Sequence, residues 1–276
     1  MLDPAARELN YRQAEIVAQL RQSGRVAVED LAAQFGVTLQ TIRRDLNELS
    51  EAKLLVRVHG GAIIASGVAN LAYEARQLVA HQHKRLIGEA AARLVPDNAS
   101  LLINIGTTTE EVAKALSNHS GLLVITNNLH VANELHRNKA TEVIITGGSI
   151  RREDGGIVGA VTVAQIQQFR VDIAVIGTSA IDPSGTLLDF DVREVEISRA
   201  IIEYARKIVL VADSSKFSRS APVRIAHLSE IDVFVTDRLP SSAIAEMLRR
   251  CEVEVIETGG PIEFEAGDLE KARTEN

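Results

Sequence analysis

Two sets of residues are spaced for chemistry. Thr38, Gln40, Thr41, Arg43, Arg44 and Asn47 crowd into VTLQTIRRDLNEL, and Arg57 and His59 follow in RVHGG. Arginine can bond guanine bidentately in a major groove, glutamine can do the same for adenine, and threonine hydroxyls suit phosphate oxygens. The second set suits an anion. It comprises Gly106, Thr107, Thr108 and Thr109, then Thr126, Asn127 and Asn128, then Gly147 and Gly148, and finally Lys216 in DSSKF. Open backbone amides, hydroxyls and one placed ammonium are what phosphate binding asks for, although the same residues also build ordinary turns. Arg151, in a loop with glycines at 155, 156 and 159, can close over an anion or simply be solvated. Asp189, Asp191 and Glu194 in LLDFDVREVE can accept bonds from sugar or polyol hydroxyls.

The first set needs a helix to present it. Ile42, Leu46 and Leu49 share one helical face, which turns Gln40, Arg43, Arg44 and Asn47 outward. Thr38 is placed to cap that helix, with Val37 and Ile42 at staple spacing. Before it, Val28, Leu31 and Phe35 mark a short helix that Gly36 ends, so the pair reads as a helix-turn-helix. A helix over 10–23, with Ile16, Val17 and Leu20 inward, supplies a third wall, and 54–64 reads as a hairpin wing carrying Arg57 and His59. Adjacent arginines usually decorate a solvated face; in the N-terminal half of a second helix of this motif they point to DNA contact. Asp45 is expected to be a local ion-pair partner.

The second set needs a sheet edge. From residue 100 the runs SLLINI, LLVIT, EVIIT, DIAVIG, IVLVAD, VFVTD and VEVIE alternate with helical stretches and are too continuously apolar for a one-sided sheet. They predict a mainly parallel α/β sheet covered on both faces, whose ligand sits beyond the strand carboxyl ends, where the Gly, Thr, Asn and Asp residues lie. Residues 72–95 read as helix, weakly interrupted around 81–84, with Lys84 and Arg85 on a solvated face or reaching toward a ligand. His81 and His83, two apart, point in different directions, and no metal or cofactor is expected. The divisions are a winged helix-turn-helix over 1–65, a linker and connecting helix over 66–95, a sensor domain over 96–260 and a polar tail over 261–276.

Composition narrows the class. The chain has 276 residues, is 46% hydrophobic and contains 6 prolines, which suits a soluble two-domain protein. It has no signal-peptide pattern and no apolar run long enough to span a bilayer, so no membrane partner is expected. The lone Cys251 fits a reducing cytoplasm. Residues 1–65 hold eight Lys or Arg and eight Asp or Glu, so the remainder carries the whole net charge of −7. Bulk charge therefore cannot drive DNA binding. A few placed cations must do so, multiplied by homo-oligomerisation into a dimer or tetramer.

TIRRDLNEL followed by RVHGGA resembles the DNA-binding module of the DeoR family of bacterial regulators, and NIGTTT, ITNN, ITGG, DGGIVG and DSSKF resemble its sensor domain. The resemblance implies a sensor similar to the ribose-5-phosphate isomerase fold, a phosphorylated sugar or polyol as effector, double-stranded operator DNA as partner, and relief of repression by the effector. Within the family, NIGTTTEEVAKAL, ITNNLHVAN and LLDFDVREVE are most similar to the glycerol 3-phosphate-responsive branch. Asn104 stands where many members have Asp. A sugar-phosphate isomerase, with Asp191 or Glu194 as base, is the rival from another class, and a regulator of another sugar-phosphate pathway is the rival within the family.

Overall fold

The computed structural model describes residues 9–23, 25–52, 54–58, 60–63, 73–78 and 80–259. His59, the linker over 65–71 and the tail over 261–276 lie outside them.

The N-terminal module runs α1 (Tyr11–Ser23), β1 (Arg25–Ala27), α2 (Val28–Phe35), α3 (Leu39–Glu51), β2 (Val56–Val58) and β3 (Gly61–Ile63). Ile16 and Leu20 of α1, Leu31 of α2 and Ile42, Leu46 and Leu49 of α3 are all buried in one small core. The turn between α2 and α3 forms as its residues dictate: Gly36 is left-handed at φ 63°, and Thr38 Oγ1 accepts from the Thr41 amide at 3.2 Å. The wing gains a strand that local pattern did not show. β1 pairs antiparallel with β3, which also pairs with β2, and a three-residue strand is too short to carry a period. Asp45 is an ion-pair partner, though not a local one: Arg12 of α1 holds it at 2.5 and 3.2 Å.

After the module come α4 (Tyr73–Leu78) and α5 (His81–Ala92). The helical stretch expected over 72–95, with its weak interruption around 81–84, is two helices whose break falls slightly earlier, at Ala80, which adopts φ 53°. The sensor then alternates β4 (Ser100–Ile103), α6 (Thr107–Ala115), β5 (Leu122–Thr126), α7 (Leu129–Leu135), β6 (Thr141–Ile145), β7 (Ser149–Ile150), β8 (Ile157–Val158), α8 (Ala160–Ile166), β9 (Val171–Ile176), β10 (Ala180–Ile181), β11 (Thr186–Asp189), α9 (Val192–Glu203), β12 (Ala205–Val211), β13 (Val223–His227), β14 (Val233–Thr236), α10 (Ser242–Arg250) and β15 (Glu254–Glu257).

All seven apolar runs are strands of one parallel sheet, ordered β15-β14-β12-β9-β4-β5-β6. Their continuous hydrophobicity has a direct cause. Leu101, Ile103, Val124, Val175 and Val209 point into one core with α5, α6 and α7, while Leu102, Ile125, Ala174, Ile176 and Leu210 point into the other with α8 and α9. Gly88 of α5 has no room for a side chain: a Cβ there would meet the Glu111 backbone at 2.6 Å, so α5 and α6 pack backbone to backbone. β10, β11 and β13 form a second, antiparallel sheet beside the edge.

Candidate functional site

α3 presents the first set as its periodicity requires. Leu39, Gln40, Arg43, Arg44 and Asn47 are exposed opposite the buried face. Arg44 Nε donates to Glu48 across one turn at 3.0 Å. Arg57 of β2 donates to the Asn47 side chain, tying the wing to the helix. Arg43, exposed with no such partner on the helix, is the guanidinium most available to a groove. A polar helix of this size with a wing beside it matches the dimensions of a DNA major groove.

Most of the second set converges at the carboxyl ends of β4, β5 and β12. Gly106 starts α6 with no side-chain cap, leaving the Thr107–Thr109 amides to face outward from a positive helix end. Thr109 Oγ1 is spent on the Asn104 and Gly106 carbonyls at 2.8 and 2.7 Å. Thr107 Oγ1 accepts from Lys84 Nζ at 3.0 Å. Thr126 Oγ1 donates to the Ile103 carbonyl and accepts from the Asn128 amide. Asn128 caps α7 through the His130 and Val131 amides and donates to Glu110. Asn127 donates to the Ile157 carbonyl, while its buried Oδ1 has no partner. Lys216 follows β12 in the turn that Asp213 caps at 3.1 Å, and Arg219 lies three residues on.

Gly147 and Gly148 sit apart from this focus. The Gly147 amide donates to Gln165 at 2.8 Å, its carbonyl accepts from Thr162, and a Cβ at Gly148 would meet Thr162 Oγ1 at 2.4 Å. They serve close packing against α8. Arg151, read as a residue able to close over an anion, is engaged by carboxylates on every nitrogen: Asp154 at 2.8 and 2.6 Å, Asp191 at 3.2 Å and Glu194 at 2.6 Å. Lys84, read first as solvated, is buried, whereas its neighbour Arg85 is exposed and pairs with Glu89. Asn104 does not face the ligand edge openly; it is buried between Ser198 Oγ and the Ile105 amide.

The edge divides electrically. On one side stand Lys84, Lys216, Arg219 and Arg76, with Asp213 among them. Burial, then repulsion by Arg219, pushes the Lys216 ammonium well below the ordinary lysine range. Burial alone would raise Asp213, but the charges of Lys216 and Lys84 outweigh it and hold it down. On the other side Asp154, Asp189, Asp191 and Glu194 surround Arg151. Burial and the neighbouring Asp189 raise Glu194 well above the usual carboxylate range, and burial likewise raises Asp189. Asp191, bonded first to Arg193, is lowered to about 2. Arg76, reaching Asp154 at 2.9 Å, stands between the two halves.

Arg76 and Arg219 escape a reading by motif because they lie in helical or loop sequence away from the strand ends, whereas Lys84 reads as either solvated or reaching toward a ligand and Asp154 opens the quoted DGGIVG. Only the alternation of α5 could have shown Lys84 facing inward. His81 and His83 diverge, toward Glu111 at 3.8 Å and Asp237 at 3.0 Å. Two surface grooves, one beside Arg199 and Arg224 and one beside Arg93 and His119, lie away from this edge.

A groove-reading helix and a small-ligand edge in one chain define a DNA-binding regulator with its own sensor. Residues 12–68 match the model of the DeoR-like helix-turn-helix domain and residues 79–238 that of the DeoR C terminal sensor domain. The chain is 44% identical over 237 residues to the glycerol-3-phosphate regulon repressor of Escherichia coli, covering 86% of this chain and 94% of that protein. It is 43% identical to the repressor of the same name from Haemophilus influenzae, over 92% and 98%. The HTH-type transcriptional repressor CsqR of Escherichia coli shares 38%, over 90% and 95%. Among solved structures, the ribose 5-phosphate isomerase of Methanocaldococcus jannaschii overlaps at a TM-score of 0.38 and 14% identity, over 50% of this chain and 55% of that one, too little to carry an argument. This chain belongs to the DeoR family of transcription regulators.

Proposed function

We propose that this chain is a transcriptional repressor whose operator affinity is lowered by glycerol 3-phosphate. The observation that carries the effector is the electrical division of the strand-end edge. Amides of α6 with Lys84, Lys216 and Arg219 suit a phosphate, and the carboxylates of Asp189 and Glu194 opposite suit hydroxyls. A three-carbon polyol phosphate carries both groups a few ångströms apart. Thr107, Thr108 and Asn127 complete the phosphate side, and Gln40, Arg43, Arg44, Asn47 and Arg57 meet the operator, with Thr38 and Thr41 on phosphates. The palindromic operator of such a regulator calls for at least a dimer. Two names among the relatives support the glycerol 3-phosphate assignment over other sugar phosphates.

An isomerase needs a free carboxylate base beside its substrate carbon. Asp191 and Glu194 are instead both held on Arg151. Isothermal titration with glycerol 3-phosphate, against fructose 1-phosphate, fructose 6-phosphate and ribose 5-phosphate in the same buffer, tests the effector. Selective binding of glycerol 3-phosphate is expected, together with release of a fluorescent operator. Binding of another compound alone defeats the assignment.

A further inference from the structure

The Lys84 ammonium is shared between two elements. It donates to the Thr107 hydroxyl at the start of α6 at 3.0 Å and also to the Arg76 carbonyl of α4. α4 itself is only six residues long. Polar tethers hold it to the sensor: the Tyr73 hydroxyl donates to Glu110 at 2.8 Å, the Tyr73 ring stacks on His130 at 5.0 Å between centroids, and Arg76 Nη2 donates to Asp154 at 2.9 Å. Each partner borders the ligand edge. Glu110 is bonded to Asn128, and Asp154 to Arg151. The Arg76 Nε is buried and has no hydrogen-bond partner.

We propose that Lys84 makes α4 the relay between the effector site and the DNA-binding module: a bound phosphate draws the Lys84 ammonium away from the Arg76 carbonyl, and α4 loosens from the sensor. The inference rests on the effector reading above. A phosphate dianion is a far better acceptor for an ammonium than a neutral carbonyl, since charge-assisted hydrogen bonds are about twice as strong as neutral ones. It therefore competes directly for the bond that now secures the α4 backbone. α4 is the first described element after β3 of the wing, which places it along the chain between the module and the rest of the sensor. The docked arrangement has the higher operator affinity and the released one the higher effector affinity, and the two affinities are coupled reciprocally.

Two measurements on the full-length protein decide it. Hydrogen exchange with and without glycerol 3-phosphate should show slower exchange at residues 106–111 and faster exchange at 73–78. Slower exchange at 106–111 with α4 unchanged or also slowed overturns the relay and leaves the effector reading standing. No change at 106–111 defeats the effector reading and takes the relay with it. The second measurement uses Tyr73→Phe, which removes a tether of α4 without touching a cation. Operator affinity in the absence of glycerol 3-phosphate should fall about fivefold, the worth of one hydrogen bond, while affinity for glycerol 3-phosphate rises by up to the same factor. A merely damaged fold loses both affinities. That result, or a variant that changes neither, overturns the relay.

Discussion

Replacing Arg151 by Met removes the guanidinium from three carboxylates at once, and the structure says where the damage falls. Asp154 keeps Arg76 at 2.9 Å, and Asp191 keeps Arg193 at 2.7 Å. Among the described residues Glu194 has no second cation within ion-pair distance, and Asp189 beside it repels its charge. Breaking a buried pair costs about 3–5 kcal/mol when the remaining charge is trapped. Glu194 escapes part of that cost by holding a proton. The expected loss of stability is therefore about 2 kcal/mol near pH 6, where the carboxyl stays protonated in both proteins, growing to about 4 kcal/mol near pH 9, where only the wild type has released it. Urea unfolding followed by circular dichroism at both pH values measures this, with Glu194→Gln in the Arg151→Met background recovering most of the high-pH difference. A loss below about 1 kcal/mol, or one that does not change with pH, refutes the reasoning that Arg151 compensates a buried acidic cluster.

Three other perturbations have defined outcomes. Glu194→Gln alone should flatten the pH dependence of stability: a carboxyl raised from 4.5 to about 8 by folding stabilises fully below its unfolded value, and that contribution is lost as pH rises to about 8. Thermal unfolding of both proteins across that window checks the sign, and a wild type that gains on the variant with rising pH contradicts it. Lys216→Met should raise stability by about 1 kcal/mol, because a half-buried ammonium disfavoured by desolvation and by Arg219 is a strained charge, yet abolish detectable glycerol 3-phosphate binding. Calorimetry on one sample reads both quantities, and unaltered effector affinity removes Lys216 from the site. Arg43→Ala should weaken operator binding by about tenfold or more and relax base preference at one position in each half-site, as measured by fluorescence anisotropy on single-base operator variants. Uniform weakening across those variants would instead place Arg43 on a phosphate.

The core of the fold was legible because its signals are local. Continuous apolar runs reported the seven sheet strands, and Gly36, Thr38 and the Ile42–Leu46–Leu49 face reported the turn and α3. β1, β10, β11 and β13 were not, since two- to five-residue strands in antiparallel sheets owe their pairing to distant partners such as Leu187 with Ala226. The candidate site divides the same way. The GTTT start of α6 and the Asn127–Asn128 pair announce themselves by following strands. Lys84 could be read only as solvated or as reaching toward a ligand, because the local evidence was its charged neighbour, and its burial goes with Gly88 letting α5 press onto Glu111 of α6, far along the chain. The capture of Arg151 by Asp191 and Glu194 joins residues about forty positions apart, and no spacing rule could have paired them.

Ala80 turns the chain between α4 and α5 at φ 53°, a conformation that costs a residue with a Cβ about 1 kcal/mol and that glycine adopts freely. The neighbouring tethers must hold that energy while α4 is seated. In the relay proposed above, release of α4 frees this corner to relax, so the backbone favours release by the same small amount. A glycine at position 80 would remove that bias, so more effector would be needed to release half of the operator, with no contact in the ligand site altered.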